Sequence, residues 1–292
     1  MKTEEIKVLA SRHNLKIREP IELNEMGLDF LVAFVTEENG KKWVFRIPRR
    51  ADVFVRAQNE KKILEFVRTR ISVNVPDWKI VQPDLIAYPM LTDNPGLTFD
   101  SSTYAVTWHM DSKSPSYVQS LAKTLVELHR ISTQEVKSAG LEVLSPSEIR
   151  KKTFEELELV RRDIGLSSSL DTRILTWLDN DALWPDYTVF GHGDLYPGHL
   201  LVNKNNSVTG IIDWTEAKVQ DPAIDFTGHL TTLGEESLKS LIKHYEANGG
   251  RTWPELFAHT IESAAFSPVR YGLFALSNGS NTHLAAAKAQ LT

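Results

Sequence analysis

The most informative stretch of this chain is residues 192–202, which read HGDLYPGHLLV and are followed at 211–214 by IIDW. Two acids, Asp194 and Asp213, each come after an apolar stretch with the composition of a short strand, and His199 lies between them. Transfer of a phosphoryl group to an alcohol needs one carboxylate that orients the hydroxyl and accepts its proton. It also needs one or two ligands that hold Mg²⁺ against the phosphates. The residue types in this stretch therefore suit phosphoryl transfer.

The spacing of these residues supports the same interpretation. In protein kinases the catalytic aspartate precedes a metal-binding asparagine by five positions, and Asp194 precedes His199 by the same interval. Asp213 then lies where a second strand would present the main metal carboxylate. Each acid taken alone has a structural explanation, because aspartate is common in turns and at strand ends. The combination favours catalysis by Asp194.

Outward from this stretch, the N-terminal third of the chain has the pattern of a β-rich region. The spacing of apolar residues and the turn at Asn39-Gly40 predict the following elements: a helix over 3–13, strands over 28–36 and 42–47, a helix over 57–67, and strands over 78–81 and 85–91. From residue 117 the apolar period becomes helical, with helices around 121–128, 157–164 and 174–178.

The order of these elements predicts an α+β fold of two lobes, the first β-rich and the second mainly helical. We expect residues 1–91 to form a β-rich, nucleotide-binding N-terminal lobe. Residues 92–292 would form a mainly helical C-terminal lobe with the catalytic and metal loops and the acceptor pocket. A hinge is expected near 89–95, and the active site in the cleft between the lobes, where ligand sites concentrate.

Composition narrows the class of protein. The chain has 292 residues, a net charge of −5 and no cysteine. The acidic balance argues against nucleic acid as a partner. Without cysteine there are no disulfides and no thiolate zinc sites. The charged N-terminus is unlike a signal peptide, and no apolar run reaches membrane-spanning length, so we expect no membrane partner and a cytoplasmic location.

The motifs at 192–202 and 211–214 are similar to those of a known family. Together with the downstream run 221–226, which reads DPAIDF, they resemble the antibiotic phosphotransferases, a family that shares the protein-kinase fold. Within that family the chain is most similar to the macrolide 2′-phosphotransferases. The matching runs spread over nearly the whole chain and are 27–30, 43–50, 75–78, 87–91, 193–202, 211–226 and 245–250.

The resemblance implies a role for each residue of the central stretch. Asp194 corresponds to the catalytic base that faces the acceptor hydroxyl, and Asp213 to the ligand of a Mg²⁺ that bridges the nucleotide phosphates. His199 stands where most antibiotic kinases have a metal-binding asparagine. Mg²⁺ prefers oxygen ligands to imidazole, so this departure leaves open whether His199 binds the metal directly. Asp225 is expected to anchor the loop or cap a helix, and His192 to brace the loop.

The resemblance also implies nucleotide-binding residues in the N-terminal lobe. Arg46 occupies the strand position of the phosphate-pairing lysine of kinases, and Glu60 on the next helix would orient it. The turn at 26–29, with Gly27, would lie over the phosphates, although it is not a glycine-rich loop. The segment of Tyr88, Met90 and Leu91 would read the purine, mostly through backbone groups.

The same resemblance implies GTP or ATP as the donor and a macrolide as the acceptor, phosphorylated on the 2′-hydroxyl of its amino sugar. An apolar, aromatic C-terminal region suits a macrolide ring better than a polycationic aminoglycoside. Phe266, Tyr271 and Phe274 are the candidate acceptor contacts, although residues of this kind are common in any helical core. We expect a monomer.

Other functions stay open at this level. The nearest is the same chemistry on another small alcohol, such as an aminoglycoside or a metabolite, which a pocket rich in carboxylates would favour. Hydrolysis by a metallophosphoesterase is a second, although the chain lacks the D-x-H ligand pair of those enzymes. A nucleotide-binding pseudokinase is a third, and the presence of Asp194, Asp213 and a basic strand residue together argues against it.

Overall fold

Strands dominate the first part of the chain and helices the rest, in a computed structural model that describes residues 1–25, 27, 29–100, 103 and 105–292. The strands are β1 (Ile17–Asn24), β2 (Phe30–Glu37), β3 (Lys42–Pro48), β4 (Ile80–Gln82), β5 (Leu85–Pro89), β6 (Asn94–Pro95), β7 (Leu97–Phe99), β8 (Val106–Trp108), β9 (Val189–Gly191), β10 (Leu200–Val202), β11 (Val208–Ile211) and β12 (Lys218–Gln220). The helices are α1 (Thr3–Arg12), α2 (Ala51–Val67), α3 (Pro115–His129), α4 (Thr133–Ser138), α5 (Pro146–Asp163), α6 (Ser168–Asp179), α7 (Ile224–Ala247), α8 (Leu256–Ala265), α9 (Ser267–Asn278) and α10 (Asn281–Leu291). The predicted α+β class is confirmed.

The chain divides into two compact units that do not follow its linear order. The first unit combines Met1–Asp111 with Gly198–Thr215, and the second combines Ser112–Pro197 with Glu216–Thr292. A division after residue 91 was expected from the sequence. The first unit extends further because β6 pairs with β10, so the segment after residue 91 and the hairpin β10–β11 belong to the same group of strands.

The first unit is built on a five-stranded sheet of order β1-β2-β3-β5-β4. The predicted hairpin is confirmed: β2 and β3 pair antiparallel, and Gly40 in the turn has a φ of 91°, which glycine adopts without strain. The buried face of this sheet packs with α1 into one apolar core that includes Ile6, Leu9 and Phe45. The sheet holds Arg46 on β3 and places Tyr88 beside Val44 across β3 and β5.

Five elements of the first unit differ from the sequence prediction. Strand β1 was not predicted, because it lies at the edge of the sheet and most of its residues are exposed, so its apolar residues do not alternate. Helix α2 begins at Ala51 rather than 57. The short strands β6, β7 and β8 were also not predicted, since two or three residues carry no readable period.

The second unit is mainly helical. Helices α5, α6, α9 and α10 share an apolar core around Leu157, Trp177 and Phe266. The small ladder of β9 and β12 is antiparallel, with Phe190 opposite Val219. Helix α7 begins shortly after β12 and is kinked at Gly234, which has a φ of 80°. Within the described residues, no helix has both the length and the apolar composition needed to cross a membrane.

Candidate active site

In the first unit, the hairpin β10–β11 brings together two residues that are far apart in sequence. Leu200 pairs with Ile211, and the amide of Ile212 donates to the carbonyl of His199 at 3.0 Å. His199 Nε2 therefore lies 3.7 Å from Asp213 Oδ2. Asp213 has a φ of 63°, a left-handed conformation that is uncommon outside glycine and often marks functional loops.

The predicted contact between Arg46 and Glu60 is confirmed. Arg46 Nη1 donates to Glu60 Oε1 at 2.7 Å, and the guanidinium lies over the ring of Phe30 at 4.2 Å. Burial alone would lower the pKa of Arg46, but the carboxylates of Glu60 and Asp213 hold it above its ordinary value. Arg46 is therefore a permanent cation in a fixed orientation.

Glu60 also connects Arg46 to the loop that carries Asp213. Its Oε1 accepts from the amide of Trp214 at 3.4 Å, and its Oε2 lies 3.3 Å from Thr215 Oγ1. The same hydroxyl lies 3.1 Å from Asp213 Oδ1. A hydroxyl has one proton, so Thr215 donates to one of these carboxylates at a time. Sequence reasoning missed Thr215, whose only signal was its position two residues after Asp213.

His199 and Asp213 fit a Mg²⁺ that is shared with phosphates. In the described part of the chain, no three His, Cys, Asp or Glu side chains are grouped closely enough to hold a metal by themselves. Mg²⁺ in phosphotransferases needs no such cage, because one or two carboxylates, phosphate oxygens and waters complete its shell. The side chain of Asp213 is 46% exposed, so an oxygen of this carboxylate can reach a ligand.

The residues predicted to contact the purine lie at the end of β5. The side chain of Tyr88 is buried, and burial raises its pKa to about 12. The amide of Met90 donates to the carbonyl of Lys42 at 2.9 Å, so it is occupied within the sheet. For the amide of Leu91, no acceptor is found among the residues that the structure describes. The amide of Leu91 is therefore the backbone donor in this segment that could bind a purine.

The predicted phosphate turn at 26–29 is described only in part, because residues 26 and 28 lie outside the described residues. The carbonyl of Gly27 accepts from Arg49 Nε at 2.9 Å, so the turn is tied to the segment that follows β3. A side chain at Gly27 would place a Cβ 2.9 Å from the carbonyl oxygen of Phe30. The backbone is thus too close here for any larger residue.

In the second unit, Asp194 lies on a loop that follows β9 and is held by Asp225. The two oxygens of Asp225 accept from the amide of His192 at 2.9 Å and from that of Gly193 at 2.8 Å. The amide of Asp194 donates to His192 Nδ1 at 3.3 Å. Gly193 has a φ of 89°, and a Cβ there would lie 2.6 Å from the carbonyl oxygen of Glu216. The predictions that Asp225 anchors the loop and His192 braces it are confirmed.

Asp225 is in turn held by a buried network. His129 Nε2 lies 3.1 Å from Asp225 Oδ2, and His129 Nδ1 lies 2.9 Å from the hydroxyl of Tyr245. Burial would raise the pKa of Asp225, but the bond to His129 and the amide of Gly193 hold it below its ordinary value. The carboxylate therefore stays charged, and it orients the backbone from which Asp194 projects.

A cavity of about 300 Å³ lies against Asp194. The loop that carries Asp194, which we call the catalytic loop after its predicted role, forms one side through residues 193–196. Helix α7 forms another through Thr227, Gly228, Thr231 and Thr232, and α9 contributes Ser267 and Arg270. Asp194 is the one carboxylate and Arg270 the one cation among these lining residues. Sequence reasoning missed the polar face of α7, whose signal was the spacing of its threonines.

The guanidinium of Arg270 lies in this wall and is held by Ser263. Its Nη1 donates to the carbonyl of Ser263 at 2.9 Å, and its Nη2 lies 3.2 Å from the hydroxyl of the same residue. Burial lowers the pKa of Arg270, although the charges of Glu156 and Asp221 act in the opposite direction. The cavity thus has a carboxylate on one side and a guanidinium on the other.

None of the predicted acceptor contacts is among the residues that line this cavity. Phe266 is fully buried and packs with Trp177 at a ring distance of 5.9 Å, so it has no exposed surface with which to touch an acceptor. Tyr271 and Phe274 are partly buried, and the hydroxyl of Tyr271 lies 3.0 Å from His283 Nδ1. Their roles toward an acceptor stay predictions.

Comparison with known proteins gives one curated relative and two highly similar structures. The chain is 40% identical over 283 residues to the uncharacterized protein YcbJ of Bacillus subtilis (strain 168), which covers 96% of this chain and 92% of that protein. A structure of a type I macrolide 2′-phosphotransferase matches with a TM-score of 0.94 and 41% identity over 99% of this chain and 96% of that one. The apoenzyme of macrolide 2′-phosphotransferase MphH from Brachybacterium faecium matches with a TM-score of 0.91 and 37% identity over 99% and 97% of the two chains.

More distant structures share the fold. A GDP and kanamycin complex of an aminoglycoside phosphotransferase matches with a TM-score of 0.78 at 20% identity, over 98% of this chain and 96% of that one. The model of the phosphotransferase enzyme family matches residues 20–258, which include Arg46, Asp194, His199 and Asp213. The chain therefore belongs to the phosphotransferase enzyme family and is a kinase that acts on a hydroxyl group.

Proposed function

We propose that this protein is a macrolide 2′-kinase that confers antibiotic resistance. It transfers the γ-phosphoryl group of GTP or ATP to the 2′-hydroxyl of the macrolide amino sugar. The identity of 41% and 37% to two macrolide 2′-phosphotransferases supports this acceptor. The relative with GDP in its structure supports a nucleotide as the donor.

In this proposal Asp194 is the catalytic residue. Its carboxylate orients the acceptor hydroxyl and accepts the proton as the new bond between oxygen and the γ-phosphorus forms. The bond from the γ-phosphorus to the bridging oxygen breaks on the opposite side, and the nucleoside diphosphate leaves. Because the transition state of such transfers is loose, positioning contributes more than basicity. The hold of Asp225 on the backbone at 192–193 supplies that positioning.

The nucleotide would be bound by groups of the first unit. Arg46, oriented by Glu60, fits the role of the cation that pairs with the phosphates. Asp213 and His199 would hold Mg²⁺, which supplies charge neutralisation at the phosphates when it is bound. The backbone at Tyr88, Met90 and Leu91 would contact the purine, with the amide of Leu91 as the donor, and Gly27 would lie near the phosphates.

The charge of the cavity beside Asp194 is the observation that carries the choice of acceptor. Its described lining has a single carboxylate, Asp194, and a guanidinium, Arg270. An aminoglycoside carries several ammonium groups and requires several carboxylates, whereas a macrolide presents one amino sugar on a large apolar ring. At about 300 Å³ the cavity has room for one sugar. These properties support a macrolide over an aminoglycoside.

The test is direct. The purified protein is incubated with Mg²⁺ and either GTP or ATP, in the presence of erythromycin or kanamycin, and the products are analysed by mass spectrometry. We expect one added phosphoryl group on erythromycin and none on kanamycin, and the rates with the two nucleotides rank the donors. Phosphorylated kanamycin with unmodified erythromycin would contradict the proposed acceptor, while nucleotide hydrolysis alone would contradict both acceptors.

The proposal also predicts where the enzyme is located and its oligomeric state. Nucleoside triphosphates are intracellular, so the proposal requires a cytoplasmic enzyme. Each chain carries Arg46, Asp213 and Asp194, so we propose that a monomer is active. Size-exclusion chromatography with light scattering during turnover would measure this, and activity confined to a larger species would contradict it.

A further inference from the structure

Three buried side chains form a hydrogen-bonded chain in the second unit. The indole nitrogen of Trp177 on α6 donates to His259 Nδ1 at 3.0 Å. His259 Nε2, on α8, lies 2.6 Å from Asp221 Oδ2. Because an indole N–H can only donate, Nδ1 accepts, and the ring proton of His259 lies on Nε2 and is donated to Asp221. The three side chains are at most 4% exposed, so water does not compete for these bonds.

Asp221 lies where the two elements that hold the catalytic loop meet. It follows directly after β12, which pairs with β9 just before the loop. Its other oxygen, Oδ1, accepts from the amide of Ala223 at 2.9 Å, at the start of α7. Two residues further along α7, Asp225 binds the amides of His192 and Gly193. Asp221 is therefore linked, through the start of α7 and Asp225, to the backbone that directly precedes Asp194.

The same helix α8 holds the opposite wall of the cavity. Ser263 lies one turn after His259 and accepts from Arg270 through its carbonyl at 2.9 Å. Arg270 lines the cavity together with Ser267. Helix α8 is thus bonded through His259 to Asp221, between β12 and α7, and through Ser263 to Arg270 in the cavity wall.

We propose that His259 is a positioning residue that sets the catalytic loop against the acceptor wall of this cavity. His259 is not among the residues that line the cavity or that are assigned to the nucleotide. It acts through Asp221. The inference rests on the proposed function, because it concerns the acceptor side of that reaction. It predicts a specific pattern: loss of this bond weakens acceptor binding and turnover, while the nucleotide residues of the first unit keep their affinity.

The test compares two substitutions at His259 with one control. His259→Gln keeps an N–H donor near the position of Nε2, while His259→Leu removes both ring nitrogens. Leu157→Ala is the control, because it disturbs the same apolar core, which also contains Trp177, but removes none of the three side chains that form these hydrogen bonds. Amide hydrogen exchange is measured on peptides that contain residues 192–194, with no acceptor present. We expect exchange at least about tenfold faster in His259→Leu, and near wild-type rates in His259→Gln and Leu157→Ala.

Steady-state kinetics provide the second measurement. In His259→Leu we expect the KM for erythromycin to rise severalfold and kcat to fall, with the KM for the nucleotide unchanged. Wild-type exchange at 192–194 in a folded His259→Leu protein would overturn the inference. If that variant does not fold, Trp177→Phe takes its place, because it removes the donor to Nδ1 and leaves an aromatic ring in the core. A wild-type enzyme that leaves erythromycin unmodified would contradict the proposed acceptor, and the exchange experiment would still decide the role of His259.

Discussion

At the scale of single residues, each unit holds charged groups whose surroundings leave them little freedom. Asp225 is buried, yet it stays charged because His129 and the amides of the catalytic loop bind it. Arg46 is fixed in the same way by Glu60. Preorganised charges of this kind favour phosphoryl transfer, since little reorganisation is needed when charge shifts in the transition state.

The first prediction concerns Asp194. Asp194→Asn keeps the size of the side chain and removes its ability to accept a proton. We expect kcat to fall by about 10²- to 10⁴-fold, the usual contribution of a general base, with little change in the KM for the nucleotide. Rapid-quench measurement of macrolide phosphorylation gives both values. Turnover within a few fold of wild type would show that Asp194 does not act on the acceptor.

The second prediction concerns the pair of Arg46 and Glu60. Arg46→Met leaves Glu60 charged and buried, with a side chain only 1% exposed. Loss of one partner from such a pair costs about 3–5 kcal/mol of unfolding free energy, and nucleotide binding should weaken as well. The double variant Arg46→Met/Glu60→Gln should recover part of that stability but not the nucleotide affinity. Urea unfolding and nucleotide titration measure the two effects separately, and equal stability of the single and double variants would contradict the buried pair.

At the scale of elements, backbone geometry places each functional side chain. The short turn between β10 and β11 brings His199 beside Asp213, whereas the pairing of β9 with β12 and the start of α7 define the loop of Asp194. Helix α7 approaches this loop very closely. A Cβ at Gly228 would overlap the carbonyl oxygen of Leu195, so only glycine allows that approach.

The third prediction follows from this contact. Gly228→Ala must push α7 away from the catalytic loop, and we expect a loss of about 1–3 kcal/mol of stability, as in overpacked cores, together with a fall in kcat. Gly272→Ala on α9 is the matched control, because its Cβ would meet only side-chain atoms, at 3.1–3.3 Å. Thermal unfolding and kinetics of both variants measure the difference. Equal effects of the two substitutions would contradict the close approach of α7.

At the scale of the whole molecule, one buried histidine gives stability a pH dependence. His229 on α7 is 1% exposed, and its Nε2 lies 2.9 Å from Ser237 Oγ across the kink at Gly234. Burial lowers its pKa from 6.5 to about 4. The unfolded chain therefore binds a proton between these pH values that the folded chain does not bind.

The fourth prediction states the sign of this dependence. The stabilisation by neutral His229 is fully present above about pH 6.5 and is lost as the pH falls toward 4, with a slope of about one proton. His229→Gln should remove that slope. Ser237→Ala, the control, removes the hydrogen bond and should keep it. Urea unfolding at several pH values measures the slope, and an unchanged slope in His229→Gln would assign the proton to another group.

The sequence by itself determined the class of fold, and it predicts the local chemistry. The positions of Asp194, His199 and Asp213 could be read from residue types and spacing, because a tight loop between short strands leaves few geometries. The hairpin of β2 and β3 was predictable because Asn39-Gly40 favours one turn. The family resemblance predicted that Glu60 orients Arg46, and the structure shows a hydrogen bond between the two side chains.

Only the tertiary structure decided which distant residues surround those acids. The grouping of residues 198–215 with the first unit depends on the pairing of β6 with β10, and two-residue strands leave no pattern in a sequence. Sequence reasoning pointed to aromatic residues for the acceptor, whereas Phe266 is core and the cavity beside Asp194 is lined by polar side chains, such as Thr227, together with apolar ones, such as Leu195 and Ile224. Apolar character predicts burial but does not say which side chains line a cavity, because that depends on how helices pack. Here the positions of α7 and α9 determine which side chains line the cavity together with the loop of Asp194.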